Sequence, residues 1–167
     1  MTIKDFNNLT PENVFEELFK CCGSSSWAKN LSLLLPFSNL QDALEKSDRV
    51  WANCTASDGH EAFTHHPKIG DIKSLEKKFA STKIWAGGEQ AGVNNAAQET
   101  LLELAAGNEA YEKKFNYIFI VCATGKSAEE MLNLLNQRIG NDAEKELKIA
   151  MNEQNKITHL RLEKLLA

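Results

Sequence analysis

The residues whose types and order could do chemistry begin with His66, in the run His65-His66-Pro67-Lys68-Ile69-Gly70. An imidazole with an ordinary pKa of about 6.5 can give or take a proton near neutral pH. Pro67 biases residue 66 away from the α region, so His66 must stand where a helix releases the chain. Two further features could act with it. Arg161 falls on one helical stripe with Leu147, Ala150, Met151, Gln154, Thr158 and Leu165, and a guanidinium on an inward face must reach water or meet an anion that suits its planar fork. Trp85-Ala86-Gly87-Gly88-Glu89-Gln90 offers two glycines that allow close backbone approach and a carboxylate, Glu89, at a helix start. Each feature also has an ordinary structural reading. A histidine before proline can simply pack, an arginine can pair with a protein carboxylate, and acidic residues favour first turns.

Other chemistries find less support. Gly125-Lys126-Ser127 invites a phosphate loop, but Ile120 stands where that loop needs a glycine. His60-Glu61-Ala62-Phe63-Thr64-His65 is one residue longer than the helical zinc motif, which puts its histidines about 140° apart around a helix. Cys21-Cys22, Cys54 and Cys122 lack the C-x-x-C spacing of a zinc or redox pair and read as reduced thiols of a cytosolic protein. No G-x-S-x-G or comparable nucleophile signature occurs.

The chain that must position these groups has 167 residues, 43% hydrophobic and 25% charged, as an ordinary globular domain does. Nineteen basic against 23 acidic residues give a net charge of −4, and no Lys/Arg cluster exceeds a pair, so nucleic acid is not an expected partner. The N-terminal residues lack an apolar signal stretch, and no apolar run approaches the roughly 20 residues of a membrane span. The reading is a cytoplasmic chain with no membrane partner.

Helical patterning dominates. Thr10 and Pro11 start a helix whose apolar face runs through Val14, Phe15, Leu18, Phe19 and Cys22 to Gly23. Ser26 can cap a short helix that Pro36 stops, and Ser38 with Gln41 can form a capping box for a helix carrying Leu40 to Cys54. A short helix is expected between Ser57 and Thr64, and Asp71 can cap one carrying Leu75 and Phe79. A helix from about Gly88 to Ala106 should end at Gly107, with a further turn or two from Glu109 to Phe115. Ser127 and Glu130 make a capping box for a helix that Gly140 closes, and Asp142 starts the last helix. Tyr117 to Ala123 is an apolar, β-prone run expected to be buried and extended. The expected fold is all-α: one domain over residues 1–167, of about eight helices with that one extended segment.

In order along the chain, Leu9-Thr10-Pro11-Glu12, Ser26-Trp27, Pro36-Phe37, His66-Pro67-Lys68-Ile69-Gly70-Asp71, Glu89-Gln90-Ala91-Gly92-Val93, Phe119-Ile120-Val121-Cys122-Ala123, Gly125-Lys126-Ser127, Arg138, Asn141-Asp142 and Lys156 to Leu162 form a specific combination. So arranged, the sequence resembles the 2-oxo-4-hydroxy-4-carboxy-5-ureidoimidazoline (OHCU) decarboxylase family of urate breakdown. The resemblance implies an all-α fold, a homodimer, no metal or organic cofactor, and a small-molecule substrate decarboxylated to (S)-allantoin and CO2. It implies that His66 and Glu89 are catalytic. Substrate binding would fall to Pro67, to the loop Ala86-Gly87-Gly88-Glu89-Gln90, to the backbone of Phe119, Ile120, Val121, Cys122 and Ala123, and to Arg161. Many members carry serine where this chain has Ala86, so either backbone or water replaces a hydroxyl contact there or the substrate is held slightly differently. The residues themselves leave two alternatives open: a metal-dependent hydrolase using His60, Glu61 and His65, and a non-enzymatic helical interaction domain.

Overall fold

Side-chain caps decide where most helices begin. The computed structural model describes residues 1–66, Leu75 and 90–167, with side chains in the last stretch from residue 98 onward. Among the described residues there are eight helices and no strand: α1 (Ile3–Asn7), α2 (Pro11–Cys22), α3 (Ser25–Ser32), α4 (Leu40–Trp51), α5 (Ala56–Thr64), α6 (Gln90–Phe115), α7 (Ala128–Arg138) and α8 (Ala143–Leu165). Thr10 caps α2 with Pro11 in the first turn, and Thr55 with Asp58 and Ser127 with Glu130 form complete capping boxes for α5 and α7. The Asp142 carboxylate accepts the Lys145 amide at the start of α8 (2.8 Å).

Several boundaries differ from the sequence reading. The cap of α3 is Ser24, not Ser26, because Ser24 is the first extended residue after the left-handed Gly23 and its hydroxyl reaches the Trp27 amide. The cap of α4 is Asn39, not Ser38, and the carboxylate reaching back to the Ser38 amide is Asp42, not Gln41 (2.8 Å). That helix ends at Trp51, before Cys54. Helix α1 was not expected, being too short for apolar periodicity to register, though Thr2 and Asp5 form its capping box. Gly107 does not end a helix: α6 runs unbroken through it to Phe115. A Cβ at Gly107 would stand 2.8 Å from a Leu135 methyl, so this glycine makes room for α7. Asn116, at φ +62°, ends α6 instead, its amide bonded to the Glu112 carbonyl. Of the helix expected after Asp71, Leu75 is helical and buried, and the rest lies outside the described residues. The run from Tyr117 to Ala123 is neither helix nor strand; Tyr117 and Ile120 are buried and the others half-buried.

The chain divides into two compact units. The first comprises Met1–His66, Ile120–Cys122 and Leu147–Ala167, the second the described parts of Pro67–Phe119 and Ala123–Glu146. In the first, Trp27, Leu18, Leu31, Phe37 and Phe6 are almost fully buried, with Leu162 joining them from α8. The indole of Trp51 donates to the Met151 carbonyl (3.0 Å), which fixes α4 to α8. Helix α2 ends at Gly23, φ +83°, against the side chain of His65, where a Cβ on Gly23 would lie 2.7 Å from the His65 Cβ. In the second unit, Leu101, Leu104, Tyr111 and Phe115 on α6 are buried, as are Met131 and Leu135 on α7. A polar knot is enclosed there. Arg138 donates from Nε (2.8 Å) and from a terminal nitrogen (2.6 Å) to one oxygen of the fully buried Glu146, the Tyr111 hydroxyl donates to the same oxygen, and Asn141 donates to the other (2.8 Å). Burial, and then the bond to Glu146, push the Tyr111 phenol up, so it stays a donor. No helix among the described residues is long and apolar enough to cross a membrane.

Three outcomes follow for stability in chemical denaturation. Gly23→Ala should cost about 2–4 kcal/mol, combining left-handed strain with the overlap on His65. Gly140→Ala, whose Cβ meets nothing within 4 Å, should change stability by less than about 0.5 kcal/mol. Glu146→Gln should cost about 3–5 kcal/mol, because it removes the charge that the buried Arg138 guanidinium meets at 2.6 Å.

Candidate active site

The chain leaves α5 through two tightened hydrogen bonds, from the His65 amide to the Ala62 carbonyl (3.2 Å) and from the His66 amide to Phe63 (3.3 Å). His66 is therefore at the helix exit that Pro67 demands, half-buried. Its Nε2 lies 2.5 Å from Oε1 of Gln154, a fully buried residue of α8. The Gln154 amide nitrogen donates to the Cys22 carbonyl (3.2 Å) and to the Thr158 hydroxyl oxygen (3.3 Å). One residue earlier on α2, the Cys21 carbonyl accepts from the Arg161 guanidinium (3.0 Å).

Both contacts use groups that a helix end leaves over. The last four carbonyls of α2 have no partner within the helix. The Gly23 amide takes that of Phe19, Arg161 takes Cys21 and Gln154 takes Cys22. The α2 terminus also carries partial negative charge, which suits a guanidinium. His66 and Arg161, expected from the sequence to work together, are thus brought to adjacent carbonyls of one helix end, His66 by way of Gln154.

The electrostatics are consistent with a neutral imidazole. Burial pushes the His66 pKa below its ordinary value, and the charges of Arg161 and His65 push the same way, against the bond to Gln154, which raises it. The thiols nearby are not activated: burial pushes Cys21 up to about 11 and Cys22 up to about 12.

Ile120–Cys122 belongs to the same compact unit as His66 and Arg161. The Cys122 amide donates to a Glu153 carboxylate oxygen (2.7 Å), and the other Glu153 oxygen accepts from Lys156 (2.5 Å). This anchors the segment to α8, and it also means that the Cys122 amide is already engaged. Phe119 belongs to the second unit, where its ring packs beside Tyr111 and beneath the Arg138 guanidinium, 4.6 Å away. Ala123 is half-buried in that unit. Pro67, Ala86, Gly87, Gly88 and Glu89 lie outside the described residues, and Gln90 is described only as the first residue of α6.

The histidines of the alternative metal reading are otherwise employed. Both Glu61 oxygens bond Ser25, at its amide (2.9 Å) and its hydroxyl (2.6 Å), holding the start of α3. The His65 ring meets Phe19 edge-on, and His60 meets Phe63. Among the described residues no three His, Cys, Asp or Glu side chains are grouped as a metal would need.

Sequence reasoning missed Gln154 and Glu153. The signal for Gln154 was present: Gln154, Thr158 and Arg161 share the inward stripe of α8, and a buried amide there must find partners. For Glu153 no signal beyond its neighbourhood could have identified the Cys122 amide.

Comparison with known proteins places the chain. The sequence profile described as OHCU decarboxylase matches residues 7–163. A uric acid degradation bifunctional protein of Arabidopsis thaliana is 39% identical over 148 residues, 87% of this chain, and this chain spans 45% of that protein's length. The 2-oxo-4-hydroxy-4-carboxy-5-ureidoimidazoline decarboxylase of Halalkalicoccus jeotgali is 25% identical over 99% of this chain and 92% of its own. The crystal structure of an OHCU decarboxylase in the presence of (S)-allantoin superposes with a TM-score of 0.72 at 38% identity, covering 90% of this chain and 97% of the other. An all-α decarboxylase fold is therefore the class to which this architecture conforms. The chain belongs to the OHCU decarboxylase family.

The lowered His66 pKa predicts a sign for stability against pH. A group whose folded-state pKa is depressed contributes stability above its unfolded value, about 6.5 for histidine, that is lost as pH falls through the folded value. Acidification from about pH 7.5 to about pH 5.5 should lower the denaturation midpoint more for the unaltered protein than for His66→Gln. Equal slopes would show that His66 titrates alike in both states.

Proposed function

We propose that this chain acts as one OHCU decarboxylase-like domain over residues 1–167. It converts 2-oxo-4-hydroxy-4-carboxy-5-ureidoimidazoline to (S)-allantoin and CO2 in urate catabolism. The observation that carries this reading is the meeting of His66, by way of Gln154, and Arg161 on neighbouring carbonyls of the α2 terminus, in a chain whose family relatives include a decarboxylase of that name and one crystallised in the presence of (S)-allantoin. The match of one family profile to residues 7–163 supports a single functional domain.

The bond from the ring carbon to the carboxylate breaks, CO2 departs, and the electron pair enters the unsaturated ring, which needs no cofactor sink. Protein groups must then hold the substrate and move a proton. His66, neutral at neutral pH, takes up the substrate's hydroxyl proton, so that this oxygen becomes a carbonyl, and delivers the proton to one face of the neighbouring ureido-bearing ring carbon; water protonates the ring nitrogen that received the electron pair. Glu89 orients the hydroxyl and carboxylate with His66. Arg161, Pro67, the loop Ala86-Gly87-Gly88-Glu89-Gln90 and the backbone of Phe119 to Ala123 hold the ureido and ring amide groups. With Ala86 in place of serine, backbone or water makes that contact. The remaining elements of the proposal are a cytoplasmic homodimer acting without cofactor on a small molecule, with neither nucleic acid nor membrane as partner.

Purified protein should speed the loss of the ureidoimidazoline absorbance and yield optically active allantoin in the presence of a chelator. His66→Ala should lower kcat by roughly 100- to 10,000-fold, the range that positioned proton transfer supplies. Arg161→Gln should act more on KM. Full activity in His66→Ala would sink the role given to that residue. Activity abolished by chelation and restored by zinc would instead favour a metal-dependent hydrolase.

A further inference from the structure

The amide of Gln154 has only one orientation that its surroundings accept. One end of it faces the Cys22 carbonyl at 3.2 Å, an oxygen that can only accept. The same end faces Thr158 Oγ1 at 3.3 Å, whose own hydrogen is committed to the Gln154 backbone carbonyl at 3.0 Å. Two acceptors demand the NH2 group there. Reversing the amide would set a carbonyl oxygen against two acceptors in a fully buried place, at a cost of several unsatisfied hydrogen bonds. The other end, 2.5 Å from His66, is therefore the carbonyl oxygen, and the ring nitrogen facing it must carry a hydrogen.

We infer that Gln154 is a positioning residue that holds neutral His66 as the Nε2–H tautomer, so that Nδ1 is the nitrogen that exchanges a proton with the substrate. The orienting chain runs from the Cys22 carbonyl and Thr158 through Gln154 to the imidazole, and all its members lie in one compact unit. When Nδ1 takes a proton, the Nε2–H bond to Gln154 becomes charge-assisted and strengthens, which supports the imidazolium at the moment it forms. The charged groups acting on His66 from neighbouring elements, Arg161 of α8 and His65 beside it, both oppose that protonation. Among the described residues, Gln154 favours it. The assignment of Nδ1 to the substrate rests on the proton-handling role proposed for His66; the tautomer does not.

Histidine-selective 15N NMR on the intact protein separates the two. Above its pKa, His66 should show Nε2 in the pyrrole-like and Nδ1 in the pyridine-like shift range, with Nδ1 moving as pH falls. A pyrrole-like Nδ1 overturns the inference without any substitution being made. Gln154→Met keeps the volume and removes the acceptor. It should release a tautomer mixture, move the acidic limb of the kcat/KM profile to lower pH, and reduce kcat by roughly 10-fold or more with little change in KM. Thr158→Val should do the same to a smaller degree, and Thr158→Ser should restore the unaltered behaviour. Gln154→Met with an unchanged tautomer and pH profile would show a purely structural residue and overturn the proposal. Absence of decarboxylation by the unaltered protein would sink the functional reading while leaving the tautomer measurement standing.

Discussion

The carbonyls left over at the end of α2 are the constraint on which the first compact unit depends. A helix cannot satisfy its last turn from within, and buried carbonyls without donors are costly. Here Cys21 and Cys22 are buried, so water is a poor remedy, and donors must arrive on side chains. They come from α8: Gln154 and Arg161 stand seven residues apart, two turns along one side, matched to adjacent carbonyls. Gly23 makes this possible by turning left-handed immediately after Cys22, and its lack of a Cβ lets His65 close over it. A single helix end thereby fixes the separation of α2 from α8, the exit of α5, and the two side chains with chemical capability.

That arrangement couples structure and chemistry closely. Gln154 is needed to satisfy Cys22, but an amide has two ends, and satisfying the carbonyl dictates what the other end presents to His66. The same side chain that closes a helix terminus thus sets the hydrogen on an imidazole. Glu153, one residue earlier, turns outward from this stripe and takes the Cys122 amide, so consecutive residues of α8 organise the imidazole and the 120–122 segment. The second unit solves its own polar problem differently, enclosing an Arg138–Glu146 pair whose oxygens are supplied with further donors by Tyr111 and Asn141. Removal of one partner takes a charge out of a buried pair, which is why the knot tolerates substitution poorly.

The fold was readable in the sequence wherever local chemistry decides it. The Thr10-Pro11 start, the Ser127–Glu130 box and the Asp142 cap all depend on residues within one turn, and each is found as expected. Gly107 misled because a glycine inside a helix and one at its end look alike in sequence; only the 2.8 Å approach of Leu135 distinguishes them. Ser24 and Asn39 displaced neighbouring caps for a similar reason, since several short polar residues compete and the emerging chain direction selects one. For the site, Pro67 located His66 at a helix exit and the α8 stripe turned Arg161 inward. The partner of each, a helix-end carbonyl or an amide at sequence distances of 88 and 140, has no local signature.

For the decarboxylation proposed for this chain, the demand on the protein is narrow: one carbon-bound proton must be delivered by one group, on one side of a planar ring. An imidazole free to choose its tautomer divides its population between two nitrogens that point in different directions. Only one of these geometries serves the role proposed for Nδ1. Fixing the tautomer through Gln154 removes that division, and it does so with a neutral amide whose own bonds are complete, so no charge is buried to achieve it. Burial and Arg161 keep His66 deprotonated before substrate arrives, while the Gln154 oxygen limits how far that depression goes. An acceptor of full negative charge in the same place would raise the imidazole's pKa further than a carbonyl oxygen does. A carbonyl oxygen leaves the ring neutral yet ready for the charge it must carry briefly. That intermediate strength, set by the end of α2 and transmitted through one side chain, is what the role proposed for His66 demands, acceptor first and then donor.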